Sequence, residues 1–175
     1  MTTSSQITQK NTSEILIVID TASIKSKYLN NVAVKPIKIK EDYWFAVYQK
    51  ENDEDSFHSV RIDAAKKDQI KIYGISIDEG SKDAIILNQV QNSKLFRKKV
   101  LFTPVCLSRN RISYDSDDLE ELSLISMEEN FIWFESDISN LGILKISFSL
   151  YCLNEDSTQQ DLYGRFWFPL QITLL

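Results

Sequence analysis

Leu144-Lys145-Ile146-Ser147-Phe148-Ser149-Leu150-Tyr151-Cys152 sets an apolar residue at every second position for nine residues, with Lys145, Ser147, Ser149 and Tyr151 between them. A period of two belongs to a strand with one face in a core and the other toward solvent. After the polar stretch Asn154–Gln160, Leu162, Gly164, Phe166 and Phe168 repeat the alternation, so the two segments read as an antiparallel hairpin. Pro169 is expected to end that pairing or bend the strand, with Ile172 and Leu174 in a further short extended segment.

Outward from this hairpin the chain keeps the same character. Ile15-Leu16-Ile17-Val18-Ile19 is an unbroken aliphatic run, which suits a central strand buried on both faces. Asp20 or Thr21 can then cap one or two helical turns carrying Ile24, Tyr28 and Leu29. Tyr43–Tyr48 has strand composition, the acidic run Glu51-Asn52-Asp53-Glu54-Asp55 reads as a hairpin loop, and Phe57–Ile62 as the return strand. In Ile70–Ile77 the alternation slips phase at Gly74, which predicts a β-bulge. Asp78–Asp83 reads as a turn before the strand opened by Ala84-Ile85-Ile86-Leu87, and Val100–Leu107 is a further extended segment. Residues 108–130, polar and acidic, predict a long loop with at most one helical turn. About eight strands with turns between them and no strand-helix repeat select an all-β fold, an antiparallel, jelly-roll-like β-sandwich. The reading assigns 1–13 to a flexible N-terminal tail and 14–175 to one sandwich domain.

The chain of 175 residues is long enough to bury a core without staples, and 43% hydrophobic with 26% charged residues is ordinary globular chemistry. A formal charge of −5 argues against nucleic acid as a partner, because phosphate affinity comes from Lys and Arg. The basic triplet Arg97-Lys98-Lys99 lacks interleaved aromatics and reads as an exposed turn. Cys106 and Cys152 are too far apart for a CxxC motif and read as buried free thiols, which fits a reducing compartment. The first residues have neither the basic start nor the apolar stretch of a signal peptide, and no apolar run reaches the roughly 18 residues of a membrane span. A cytoplasmic protein with no membrane partner is the expectation.

Catalytic chemistry finds little support. His58 is the one histidine and reads as an exposed strand residue; with two separated cysteines it leaves zinc short of ligands. The four glycines are isolated, so no phosphate-cradling loop forms. Asp115, Asp117 and Asp118 have the oxygen-rich spacing a hard cation such as calcium takes, but the loop lacks the EF-hand glycine and terminal Glu; a solvated acidic loop is the bland reading. Trp167, on the face opposite Phe166 and Phe168 and next to Arg165, is the candidate platform for a sugar ring, against ordinary sandwich packing.

These residues also carry a family resemblance. Ile15–Thr21 followed by Ile24 and Tyr28-Leu29-Asn30, then Ser81-Lys82-Asp83-Ala84-Ile85-Ile86, Phe102-Thr103-Pro104, Phe148-Ser149-Leu150-Tyr151 and Asp161-Leu162-Tyr163-Gly164-Arg165-Phe166-Trp167 with Pro169 resemble the PixA/AidA family of bacterial inclusion-body proteins. The resemblance implies a jelly-roll-like sandwich, a bacterial source, cytoplasmic accumulation of the kind some members show, and no established enzymatic activity. The chain has Trp167-Phe168-Pro169 where the family pattern has Trp-Asp-Pro, and only Met1 and Met127 where the founding protein is methionine-rich. Three functions are therefore expected in competition: a non-catalytic protein acting by self-assembly into homo-oligomers or by ligand interaction, a lectin-like module that binds a glycan with calcium, and a hydrolase using two carboxylates, which needs a cleft that no sequence pattern reveals.

Overall fold

The computed structural model describes residues 12–48, 58–62, 69–77, 83–92, 94–96, 101–114, 122–138, 140, 142–154 and 159–174. Among these residues, ten strands, one helix and a 3₁₀ turn follow in the order β1 (Thr12–Ile19), α1 (Thr21–Lys27), β2 (Ile37–Lys38), the 3₁₀ turn Glu41–Tyr43, β3 (Trp44–Tyr48), β4 (Ser59–Ile62), β5 (Gln69–Ser76), β6 (Ala84–Gln91), β7 (Leu101–Tyr114), β8 (Leu122–Asp137), β9 (Gly142–Leu153) and β10 (Gln160–Leu174). One sheet has the order β3-β1-β5-β8-β7. The other runs β2-β10-β9-β6, with β4 also paired to β10. Ile15, Ile17, Ile70 and Ile72 from the first sheet and Leu144, Phe148, Phe166 and Phe168 from the second lie in one buried cluster.

The all-β expectation holds, but both sheets are mixed rather than antiparallel. β1 runs parallel to β5, and β2 and β4 run parallel to β10. The alternation of apolar residues reports which face is buried and is blind to strand direction, so the sequence pattern was compatible with either. The aliphatic run 15–19 does form a central strand, flanked by β3 and β5. The C-terminal hairpin is as expected, with Phe166 opposite Phe148 and Phe168 opposite Ile146, and a register shift at Leu162/Gly164.

Several local expectations are corrected. β4 does not return along β3; it pairs with Gln171–Leu174 at the end of β10, while β3 pairs with β1. Residues 108–114 and 122–130 are not loop but the paired outer lengths of β7 and β8, whose ladder runs from Leu101↔Glu135 to Tyr114↔Leu122. Gly74 makes no bulge against β1, whose register is unbroken from Gln69 to Ser76. Its place is explained by the facing sheet: a Cβ there would lie 2.8 Å from Leu87 Cδ2. The strand needs the missing side chain, and the apparent phase slip records that close approach.

Pro169 sits inside β10, opposite Lys145, and the strand continues to Leu174. The edge of β10 away from β9 is covered in pieces: Arg165 N donates to Asn31 O, Ile39 N to Trp167 O, and Gln171 N to His58 O. Odd-numbered residues therefore turn their backbone groups toward that edge, and Pro169 falls in the gap between the β2 and β4 pieces. Its missing N–H removes no ladder bond there. His58 is half-buried rather than an exposed strand residue. Its ring packs edge-on against Trp44 at 4.7 Å, and Nε2 lies 2.9 Å from Glu41 O and 2.8 Å from Trp44 O. Trp44 in turn stacks on Phe168 at 4.3 Å, bridging the two sheets.

Candidate functional site

α1 starts where β1 leaves the core. Asp20 caps it, its Oδ1 accepting from Ser23 N at 2.8 Å, and Ile24 is buried while Lys25 and Lys27 stand in the last turn. Lys25 Nζ reaches Asp83 at the head of β6, 2.9 Å from Oδ1 and 2.7 Å from Oδ2. The Asp83 side chain is only 5% exposed. Burial pushes its pKa up, but hydrogen bonds from Lys25, Thr21 and Cys152 outweigh that and hold it below the usual carboxylate value. Burial likewise opposes the Lys25 charge, and the bond and charge of Asp83 carry it above its ordinary value. Burial and then Asp83 push the Cys152 thiol up to about 11, so it is a neutral donor and not a nucleophile. This cluster clasps α1 to the second sheet.

The chain after α1 is pinned along β10. Tyr163 Oη lies 2.6 Å from Tyr28 O and 3.2 Å from Lys25 O, donating to the carbonyl end of the helix. Asn31 N donates to Tyr163 O and Asn31 O accepts from Arg165 N, a parallel bridge to Gly164. Arg165 Nη1 donates to Val32 O at 2.6 Å and Ala33 O at 3.3 Å, and Asn31 Nδ2 donates to Arg165 O and Lys35 O. Lys40 N donates to Tyr28 Oη, closing the segment on itself. Held at so many points, the segment nonetheless turns apolar side chains outward: Leu29 is 90% exposed, Val34 88%, Val32 58%, and Ile37 is exposed beside them. Exposed apolar groups on a fixed backbone make this segment the candidate site. Beside this ridge, Trp167 pairs with Lys38 across β2 and β10, with Lys38 Nζ 5.5 Å and Lys145 Nζ 4.5 Å from the indole centroid.

A model of the PixA family, described as "Inclusion body protein", matches residues 11–174. The chain belongs to the PixA family of inclusion body proteins. Among solved structures, the crystal structure of a PixA inclusion body protein from Burkholderia cenocepacia J2315 is similar with a TM-score of 0.67 and 22% identity, covering 98% of this chain and 99% of that one. No curated protein matches. The sequence blocks that carry the resemblance to PixA proteins are far apart in the chain, yet three of them meet here: 20–30 in α1 and its exit, Asp83, and 161–167 in β10.

The residues expected from sequence are distributed unevenly over this PixA surface. Trp167 and Arg165 both belong to it. Arg165 directs Nη1 at backbone carbonyls, and Trp167 is half-exposed under two ammonium groups. Asp115, Asp117 and Asp118 lie outside the described residues, as do Glu51–Asp55 and Arg97-Lys98-Lys99. Among the described residues no group of three or more His, Cys, Asp or Glu is placed to hold a metal ion, and no helix is long and apolar enough to cross a membrane. The ridge itself is not legible in the sequence: Leu29 reads as part of the helical turns, and Val32, Val34 and Ile37 belong to no motif or period. The signal that could have found it is charge: from Thr21 to Lys40 the chain has five lysines and no acidic residue.

Proposed function

We propose that the chain is a non-catalytic protein that acts by self-association, accumulating in intracellular inclusions. The observation that carries this reading is the ridge Leu29–Ile37, whose apolar side chains face outward from a backbone fixed by Asn31, Tyr163 and Arg165. A rigid apolar surface loses little conformational entropy on docking, which favours association. Membership of a family described by inclusion bodies supports a second copy as the partner. Static light scattering on the purified chain over a wide concentration range tests it: mean mass should rise with concentration, and a constant monomer mass would contradict the reading.

The second reading is a lectin-like, calcium-assisted carbohydrate module, and it is favoured by Trp167 on the outward face of β10 beside Ser147. A sugar stacking on this indole displaces the Lys145 ammonium, so an acidic sugar that keeps that charge paired fits better than a neutral one. A glycan array with and without chelator tests it. Binding lost on both Trp167→Ala and Asp117→Ala would support this reading, and a flat array would remove it.

A further inference from the structure

The charge on this surface bears on how copies meet. From Thr21 to Lys40 stand Lys25, Lys27, Lys35, Lys38 and Lys40 with no acidic residue, while the rest of the chain holds 15 basic against 25 acidic residues, a formal −10. Lys25 is neutralised by Asp83. Lys27, Lys35, Lys38 and Lys40 are exposed, and among the described residues none of them has a carboxylate within ion-pair distance. Lys145 joins them over Trp167, and the strip ends at exposed Glu41 and Asp42. The apolar ridge therefore stands inside a cationic strip on an otherwise acidic molecule.

A two-fold axis passing through the strip would lay it on its own copy and bring the lysines of one against those of the other, an arrangement in which like charges oppose association. The rest of the chain carries the complementary sign in sum, a formal −10. We infer that copies associate head to tail, the strip of one docking on an acidic surface of the next. This inference rests on the self-association reading above. A contact between two different surfaces leaves each assembly with one unused strip at one end and one unused acidic surface at the other. Unless the rotation closes a ring, growth is then open-ended, as an inclusion requires.

The test is a mixing experiment with the full chain and the triple variant Lys27→Glu/Lys35→Glu/Lys40→Glu, whose exposed substitutions are checked by an unchanged melting temperature; Lys27→Gln/Lys35→Gln/Lys40→Gln serves if the acidic version fails to fold. Alone, the variant should stay monomeric. Added to the wild type at one part in ten, it should enter the assemblies through its intact acidic surface and cap them, lowering their mean mass roughly twofold or more. Raising salt from about 0.1 M to about 1 M, which shortens the Debye length from about 10 Å to about 3 Å, should also shrink wild-type assemblies. A one-to-one complex of wild type with the acidic variant and nothing larger would show strip facing strip and overturn the inference while leaving self-association standing. Assemblies that ignore the variant would do the same. A wild type that stays monomeric at every concentration overturns the self-association reading and this inference with it. A monomer that instead sediments with phosphatidylserine vesicles through the same lysines assigns the strip to an anionic membrane, and also overturns the inference.

Discussion

Asp83 shows how much of the fold around the ridge hangs on one carboxylate. It is buried, it accepts from Lys25, Thr21 and Cys152, and it ties the helix to β6. Asp83→Asn should lower stability by roughly 1–2 kcal/mol, less than the loss of one partner from a fully buried pair because Lys25 is more than a third exposed and screened by solvent. Thermal melts across pH give a sharper check. Asp83 has a lowered pKa in the fold, so its contribution is present above the unfolded value of about 4 and is lost as pH falls through the folded one. Cys152 is raised from 9.0 to about 11, so the stability of its neutral thiol is full below pH 9.0 and is lost as pH rises toward 11. Melting temperature should hold a plateau between these limits, and Asp83→Asn should flatten the acid limb. An acid limb identical in the variant would deny Asp83 this role. Arg165 is the matching residue for the segment after α1: Arg165→Ala should speed amide exchange at residues 31–35, whose backbone it holds, and unchanged exchange would show that Asn31 alone suffices.

At the scale of elements, the strands were legible and their partners were not. The periods in 144–152 and 162–168 gave the correct hairpin because their apolar residues share the core face, although Ser147 and Ser149 on the other face of β9 are buried as well; the run 15–19 gave a central strand. Which edge a short strand joins depends on distant chain, and so β4 was placed on β3 when Gln171–Leu174 takes it. Polar residues at 108–130 concealed the outer length of β7 and the paired part of β8, which are held by backbone pairing that composition does not report. Gly74 and Pro169 carry the same lesson, and each yields a prediction. Gly74→Ala should cost about 1–3 kcal/mol because the new methyl meets Leu87 of the facing sheet, and Leu87→Ala should suppress that cost in a double-mutant cycle. Additive effects would mean that the two residues do not meet. Pro169→Val should be within about 0.5 kcal/mol of wild type, since no bond among the described residues awaits its N–H, whereas Gln171→Pro removes the bond to His58 O and should cost about 1–3 kcal/mol. Equal effects in chemical denaturation would contradict the edge assigned to β10.

For the whole molecule, three of the sequence blocks that resemble PixA proteins meet around α1 and its exit, and the family assignment rests on a match across 11–174. The function was less legible than the fold because exposure, not residue type, makes Leu29 and Val34 informative. An apolar residue in a helical spacing reads as core until the structure turns it outward. The account makes that surface the means by which copies associate. Sedimentation velocity over a concentration series, on the wild type and on Leu29→Asp/Val34→Asp, tests it most directly. The account predicts a wild type whose sedimentation coefficient grows with concentration and a variant that remains a monomer with its melting temperature preserved. A folded variant that assembles as the wild type does, or a wild type that is monomeric throughout, would contradict it.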